Sequence, residues 1–245
     1  NRYLLIHNTS ATFATAPDQE IALDTLGRAT FSTTLLPDGA YFTIGDAVKG
    51  PGCVNLGSEL WIRADYGVTS GASWIDYSGN DVVINQNVAG EQPTYLSGDA
   101  ATNFNPALLF AAGDNLNVGN VNGLLNSTAG TVVAAVMHNN TAATWGDLYN
   151  QNVDDPTFGK WHANGNFKVF DNGVHGADDV PLTFIQNRNH VAIYDYGNTA
   201  NSYSGHLDGK THNLTHGPVP SIEAGTAYIG GENTGETWLG NIYEM

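Results

Sequence analysis

The last quarter of the chain contains four short segments: HVAIY at residues 190–194, YSGHLDGK at 203–210, AYIGG at 227–231 and WLGNIYE at 238–244. Their β-branched and aromatic residues are typical of strands. The dipeptide Asp208-Gly209 favours a tight hairpin turn. The pair Gly230-Gly231 allows one strand to pass close to another. The four segments therefore predict antiparallel strands joined by tight turns.

The same pattern extends back to Leu56. Leu60-Trp61-Ile62 and Pro106–Phe110 indicate strands, each followed by turn residues. Residues 131–137 are almost continuously apolar, which predicts a central strand covered on both faces. Ten or more such strands predict a β-sandwich or jelly roll, with one short helix near Val121–Leu125.

The composition agrees with an all-β fold. Charged residues make up 13 % of the 245 residues, whereas a typical soluble domain has about 25 %. Glycine occurs 29 times, and residues that tolerate positive φ favour tight turns. Residues with high helix propensity are scarce, so the turns and strands predict a fold without substantial helix.

The net charge of −16, with eight Lys and Arg residues, excludes two classes of partner. Nucleic acid and anionic membrane surfaces would be repelled. No stretch of 18 apolar residues occurs, so we expect no membrane insertion. Cys53 is the only cysteine; an intrachain disulfide is excluded, and we expect a buried, inert thiol.

Two regions resemble known domains. The segments at 190–244 resemble the C-terminal half of laminin-G and pentraxin-like domains of the concanavalin A-like lectin/glucanase superfamily. Leu60–Val68 and Trp74–Asn80 are similar to the start of repeats in very large cell-surface proteins of Bacteroidota, such as gliding-motility adhesins exported by the type IX secretion system. The resemblance covers roughly residues 54–245 and implies an antiparallel jelly-roll β-sandwich in an extracellular, cell-surface protein.

The same resemblance suggests a division of the chain. Residues 1–48 are expected to be the closing β-strands of a preceding module. Residues 49–55, which include the breaker cluster Lys49-Gly50-Pro51-Gly52, are expected to form a linker. Residues 56–245 are expected to form the jelly roll, incomplete at its C-terminus.

The sequence lacks the motifs of several hydrolase families. Glycosidases of this superfamily carry the spacing Glu-x-Asp-x-x-Glu on one strand, and this spacing does not occur. Glu232 and Glu236 flank a turn, and His212 and His216 lack the helix that would bring them together. Gly-x-Ser-x-Gly and His-Glu-x-x-His are also absent. We therefore predict that the chain is not an enzyme.

Calcium is a candidate cofactor, because hard cations bind carboxylate and amide oxygens in loops. The preferred metal site is the cluster Asp76, Asn80 and Asp81. Two further clusters are Asp114 with Asn115 and Asp154 with Asp155, and the resemblance implies an acidic residue near a metal at Glu244. None of these has EF-hand spacing, and the alternative is that such residues only form turns.

Glycan binding is the second candidate chemistry. The predicted ligand-binding residues are Trp145 and Tyr149, for stacking on a sugar, and Asp114 and Asn115, for bonding its hydroxyls. Trp161 and Tyr203 are further stacking candidates. The alternative for each aromatic residue is a buried position in the sandwich core, to which Trp61 and Trp74 are assigned outright.

The preferred function is a non-catalytic repeat module of a secreted bacterial surface adhesin that mediates surface adhesion or gliding motility. Its expected partners are a surface polysaccharide or glycan, or neighbouring modules of the same chain. The alternative is a calcium-dependent glycan-binding lectin module. A glycoside hydrolase, or an accessory domain of one, is less favoured.

Overall fold

The computed structural model divides the chain into two compact units, Asn1–Ser58 with Tyr77–Gly79, and Glu59–Asp76 with Asn80–Met245. It describes residues 3–7, 19–23, 28–30, 38–45, 59–65, 67–78, 80–98, 104–119, 129–139, 146–151, 157–161, 166–170, 177–197, 203–214, 225–231 and 236–245. The predicted linker 49–55, Cys53 and the predicted helix near Val121–Leu125 lie outside the described residues.

The smaller unit contains a three-stranded antiparallel sheet in the order β2-β1-β3. Its strands are β1 (Tyr3–His7), β2 (Gln19–Ala22) and β3 (Tyr41–Gly45). Leu5 and Ile6 are buried. That these strands close a preceding module stays a prediction.

The larger unit is built almost entirely of strands, with a single-turn 3-10 helix at Ala89–Glu91 within its described residues. In chain order the strands are β4 (Val68–Ser70), β5 (Ser73–Ile75), β6 (Val83–Asn85), β7 (Thr94–Leu96), β8 (Ala107–Phe110), β9 (Leu116–Gly119), β10 (Ala129–His138), β11 (Gly146–Gln151), β12 (Thr157–Trp161), β13 (Asn166–Phe170), β14 (Ala177–Thr183), β15 (Asn189–Gly197), β16 (Tyr203–Leu207), β17 (Lys210–Leu214), β18 (Ala227–Ile229) and β19 (Gly240–Glu244). The all-β prediction is confirmed.

These strands form two antiparallel sheets. The seven-stranded sheet has the order β17-β16-β15-β10-β19-β8-β7, and the nine-stranded sheet has the order β14-β13-β12-β11-β18-β9-β6-β5-β4. One cluster of buried apolar residues draws on both sheets, with Val136 and Ile242 from the first and Leu116 and Ile229 from the second. The two sheets therefore form a sandwich around a single core.

Strand β10 differs from its prediction. It occupies the centre of the seven-stranded sheet, but its residues alternate instead of being buried on both faces. Val132, Ala134 and Val136 are buried, whereas Val133 is 38 % exposed. In an antiparallel sandwich each sheet is covered on one face only, so an apolar run leaves alternate side chains on the outer face.

The glycine-containing turns have the predicted geometry. Asp208 and Gly209 both have positive φ, 52° and 78°, which is the backbone of a tight hairpin joining β16 to β17. Gly230 has φ 86°, and a Cβ atom there would overlap the ring of Phe110. The prediction that this glycine permits a close approach is confirmed.

Trp61 and Trp74 are buried, as expected. The indole Nε1 of Trp74 donates to the carbonyl of Arg63 at 2.9 Å, so its polar atom is satisfied within the core. Among the described residues, no helix has the length and apolar character needed to cross a bilayer.

Candidate functional site

A groove of about 360 Å³ lies on the outer face of the seven-stranded sheet. Its apolar lining includes Pro106, Ala135 and Val191. Ala135 of β10 is paired with Val191 of β15. Both residues alternate with buried neighbours along their strands, so their side chains lie on the outer face of the sheet. The polar residues that line the groove are Arg63, Asp65, Asn105, Asn189, His190, Asp208, Tyr243 and Glu244.

A register shift in β19 brings two consecutive residues to the groove. Ala135 of β10 pairs with Glu244, whereas Val136 pairs with Ile242, so Tyr243 is the extra residue of a β-bulge. In a regular strand, neighbouring side chains point to opposite faces. A bulge changes this alternation and often re-aims side chains beside functional sites. Tyr243 and Glu244 can therefore both line the groove.

The segment before β4 completes one wall of the groove. Ile62 exchanges backbone hydrogen bonds with Met245 at 2.8 and 2.9 Å, and the amide of Ala64 donates to Tyr243 at 2.7 Å. This short pairing fixes Arg63 opposite Glu244. The indole Nε1 of Trp61 donates to Oε1 of Glu244 at 2.6 Å and holds that carboxylate in place.

Arg63 and Asp65 form a two-point ion pair. Nε of Arg63 donates to Oδ1 of Asp65 at 2.6 Å, and Nη2 donates to Oδ2 at 2.5 Å. The guanidinium also lies over the ring of Trp61, with 5.6 Å from Cζ to the ring centroid. The hydrogen bonds and charge of Arg63 lower the pKa of Asp65, in spite of its partial burial.

Asp208 is held by the strand beside its hairpin. Its Oδ2 lies 2.8 Å from Nδ1 of the buried His190, and its Oδ1 accepts from the amide of Val191 at 3.1 Å. Nε2 of His190 lies 2.9 Å from the amide nitrogen of Ile185 and 3.2 Å from its carbonyl oxygen. Burial acts to raise the pKa of Asp208, but the Val191 amide, His190 and Arg188 together lower it.

Tyr243 is oriented by two amide side chains. Its hydroxyl donates to Oδ1 of Asn189 at 2.9 Å and accepts from Nδ2 of Asn241 at 3.4 Å. The groove thus offers carboxylate and amide acceptors, an aromatic ring and a small apolar surface. Such an arrangement suits a ligand that has both hydroxyl groups and hydrocarbon faces.

In the predicted metal cluster, Asp76 and Asn80 form hydrogen bonds with backbone atoms of neighbouring segments. The two carboxylate oxygens of Asp76 accept from the amides of Trp61 and Val82 at 3.0 and 3.1 Å. Nδ2 of Asn80 donates to the carbonyl of Glu59 at 3.0 Å, and Asp81 has φ 53°. In the part of the chain that the structure describes, no group of three His, Cys, Asp or Glu residues is arranged to hold a metal. Calcium binding stays a prediction, and Asp154 and Asp155 lie outside the described residues.

Three of the residues predicted to bind glycans, Asp114, Asn115 and Tyr149, are not among the residues that line the groove. Oδ2 of Asp114 accepts from the amide of Ala111 at 2.7 Å, and burial raises the pKa of Asp114. Oδ1 of Asn115 accepts from Nε2 of Gln86 at 2.7 Å. Tyr149 is 2 % exposed, the core position that the sequence left open as the alternative. Trp145 lies outside the described residues.

The sequence pattern does not predict Arg63, Asp65 or Tyr243 as site residues, and it predicts Asp208 only as a turn residue. The resemblance indicates Glu244 alone. Charged residues next to a strand are common, so these residue types alone do not predict a binding site. The bulge that gathers them depends on pairing between β10 and β19, which are far apart in sequence.

No protein-family model matches the chain, and no curated protein sequence matches it. Solved structures do. Domain 4 of AbnA, an extracellular GH43 arabinanase from Geobacillus stearothermophilus solved with arabinotriose, is 13 % identical over 76 % of this chain and 89 % of that domain, with a TM-score of 0.53. Trypanosoma rangeli sialidase is 15 % identical over 76 % of this chain, with a TM-score of 0.53.

The chain spans 29 % of the sialidase's length. Domains LG4-5 of the mouse laminin α1 chain are 14 % identical over 54 % of this chain and 38 % of that one, with a TM-score of 0.40. At these identities the likeness concerns the fold alone. The chain has an antiparallel jelly-roll β-sandwich fold.

Proposed function

We propose that the chain is a non-catalytic, glycan-binding jelly-roll module of a secreted bacterial surface adhesin. The observation that carries this proposal is the groove on the outer face of the seven-stranded sheet, with polar side chains around a small apolar surface. Binding sites of small ligands commonly combine such a surface with a few placed polar groups. Domain 4 of the arabinanase, which shares the fold, was solved with arabinotriose.

The groove residues are held in advance of any ligand. Asp208 is fixed by His190 and the Val191 amide, Tyr243 by Asn189, and Glu244 by Trp61. Pre-organised groups lose little conformational entropy when a ligand binds. A sugar can therefore place hydroxyl groups against the carboxylates and a hydrocarbon face against Tyr243 or Val191.

The electrostatic environments of Asp65 and Asp208 favour binding over hydrolysis. A glycosidase needs one carboxylic acid whose pKa is raised, so that it still carries a proton near neutral pH. Here the hydrogen bonds of Arg63 lower the pKa of Asp65, and those from Val191 and His190 outweigh burial and lower that of Asp208. Both carboxyls are ionised at neutral pH, which suits hydrogen-bond acceptors and not general acids.

The adhesin setting is the finer part of the proposal. It is supported by the similarity of Leu60–Val68 and Trp74–Asn80 to repeats of large Bacteroidota surface proteins, and by the acidic composition with few lysines. In that setting the chain is extracellular, exported by the type IX system, and serves surface adhesion or gliding motility. Its partners are a surface glycan or neighbouring modules, with calcium held by the Asp76 cluster.

The test is a broad glycan-array screen of the whole chain in millimolar calcium, repeated with a chelator. The groove variant is Val191→Trp, which fills the groove without deleting a polar side chain. Val191 is 48 % exposed, so the larger side chain can be placed without repacking the core. The matched control is Val133→Trp, on the same sheet face but not among the residues that line the groove.

The proposal predicts saturable binding to a defined sugar class that Val191→Trp abolishes and Val133→Trp retains. Equal binding by both variants would show that the sugar does not bind in the groove. Release of reducing sugar from a bound oligosaccharide would instead favour the glycosidase alternative. Loss of binding with the chelator would make calcium part of the site.

A further inference from the structure

The ion pair between Arg63 and Asp65 suggests which glycans the groove accepts. Three carboxylates line the groove, those of Asp65, Asp208 and Glu244, and Arg63 is its only guanidinium among the described lining residues. The buried ring of His190 is engaged on both nitrogens. The groove therefore has a negative charge at neutral pH.

Arg63 is the group that an anionic sugar would need. Guanidinium binds carboxylates through two parallel hydrogen bonds. That geometry is already used for Asp65, with both contacts at 2.6 Å or less. The two side chains are partly exposed, at 39 % and 46 %, so the pair stands at the mouth of the site and not in the core.

We infer that the groove selects uncharged glycans and that Asp65 sets this specificity by occupying the guanidinium of Arg63. This inference rests on the proposed function, since it names the ligand class of the same groove. The hydroxyl groups of a neutral sugar can donate to Asp208 and Glu244 without displacing an existing ion pair. The carboxylate of a uronic or sialic acid has to compete with Asp65 and meets two further carboxylates.

Repulsion between like charges weakens the binding of an acidic glycan and leaves the affinity for a neutral glycan almost unchanged. The charges of the groove therefore affect specificity more than affinity. Because Arg63 and Asp65 are solvent-exposed, the repulsion is also screened by salt. Two signatures follow: weak binding of acidic glycans that improves with salt, and binding of neutral glycans that depends little on salt.

The experiment compares matched pairs of oligosaccharides by isothermal titration calorimetry. The pairs are lactose with sialyllactose, xylotriose with its glucuronic acid-substituted form, and galactotriose with trigalacturonic acid. Each is titrated into the whole chain, into Asp65→Asn and into Arg63→Gln. The matched control is Asp38→Asn, which makes the same charge change at an exposed turn residue of the smaller unit.

For the unaltered chain we expect the neutral member of at least one pair to bind at least about tenfold more tightly than its acidic partner. Asp65→Asn should reduce that ratio toward one, because Arg63 then meets the acidic sugar without an anionic competitor. Arg63→Gln should keep or increase the ratio, and Asp38→Asn should leave it unchanged.

Tighter binding of the acidic members to the unaltered chain, abolished by Val191→Trp, would overturn the inference and leave the glycan-binding groove standing. An unchanged ratio in Asp65→Asn would also overturn it. If none of the neutral or acidic probes binds at millimolar concentration, the proposed function and this inference both fail.

Discussion

Asp208 and Asp114 have opposite electrostatic environments. Asp208 accepts hydrogen bonds from Val191 and His190, and its pKa is lowered because these outweigh burial. Asp114 is buried with one backbone donor, and burial raises its pKa. A carboxylate is therefore stabilised in its charged form at the groove and in its neutral form in the β8–β9 turn.

The stability of two variants should depend on pH in opposite ways. The lowered pKa of Asp208, set by its donors against burial, stabilises the fold above the unfolded pKa of about 4, and this contribution is lost as pH falls through the folded pKa. Asp208→Asn should thus be less stable at pH 7 by about 1 kcal/mol, the size of one charge-assisted hydrogen bond. The difference should shrink below pH 4.

For Asp114 the sign is reversed. Burial raises its folded pKa, so ionisation destabilises the fold as pH rises from about 4 through that value. Asp114→Asn keeps an oxygen for the Ala111 amide and should be at least as stable as the unaltered chain at pH 7, without that advantage below pH 4. Urea unfolding at pH 3 and pH 7 measures both variants, and the same sign for the two would contradict these assignments.

Some residue-level features follow from the sequence and others do not. Burial of Trp61 and Trp74 follows from their apolar neighbours. The partners of Asp208 do not, because His190 is 18 residues away and reaches it only through pairing of β15 with β16. Tyr149 shows the same limit: its residue type suits both a sugar platform and a core position, and only the packing decides.

At the level of strands and turns, two glycines with positive φ have different surroundings. Gly230 has its missing Cβ directed at the ring of Phe110, whereas Gly209, at the tip of the β16–β17 hairpin, has open space around it. The first glycine is needed for conformation and for space, the second for conformation alone.

Gly230→Ala should therefore destabilise the fold by about 3 kcal/mol or more, since it combines backbone strain with an overlap in the core. Gly209→Ala should lose about 1 kcal/mol, the penalty of an L-residue in the left-handed region. Thermal and chemical unfolding of the two variants provide the measurement. Equal losses would show that the approach of Gly230 to Phe110 does not constrain the packing.

The strand segments were predictable because their apolar and aromatic runs end at turn residues. The order of those strands in the two sheets was not predictable from the sequence. Strands β10 and β19 are adjacent in the sheet although about a hundred residues separate them in the chain, and register between such strands is fixed by packing. The bulge at Tyr243, which helps to make the groove, is a product of that register.

At the level of the whole molecule, the described core residues of the larger unit run from Ile62 to Met245. The ends of this segment pair with each other, because Ile62 and Met245 exchange backbone hydrogen bonds. Domain 4 of the arabinanase shares the fold at 13 % identity over 76 % of this chain, as expected when pattern and packing, and not particular residues, define a sandwich.

A fragment of residues 59–245 should consequently fold without the smaller unit and unfold in one cooperative transition. Removing residues 238–245 from that fragment should abolish folding, because Trp238, Ile242 and Met245 are buried core residues. Circular dichroism and differential scanning calorimetry distinguish these outcomes. A fragment 59–245 that has no thermal transition would show that residues 1–58 are required for the fold.

The central claim, that glycans bind in the groove, is tested most directly by the indole N–H signals of the five tryptophans in a nitrogen-15 NMR titration, assigned with single Trp→Phe variants. Trp61 donates to Glu244 at the groove, whereas Trp238 lies in the core. A bound oligosaccharide should shift the Trp61 signal saturably and leave that of Trp238 unmoved. A shift confined to Trp145, with Trp61 unchanged, would contradict the groove and favour the glycan site predicted from the sequence.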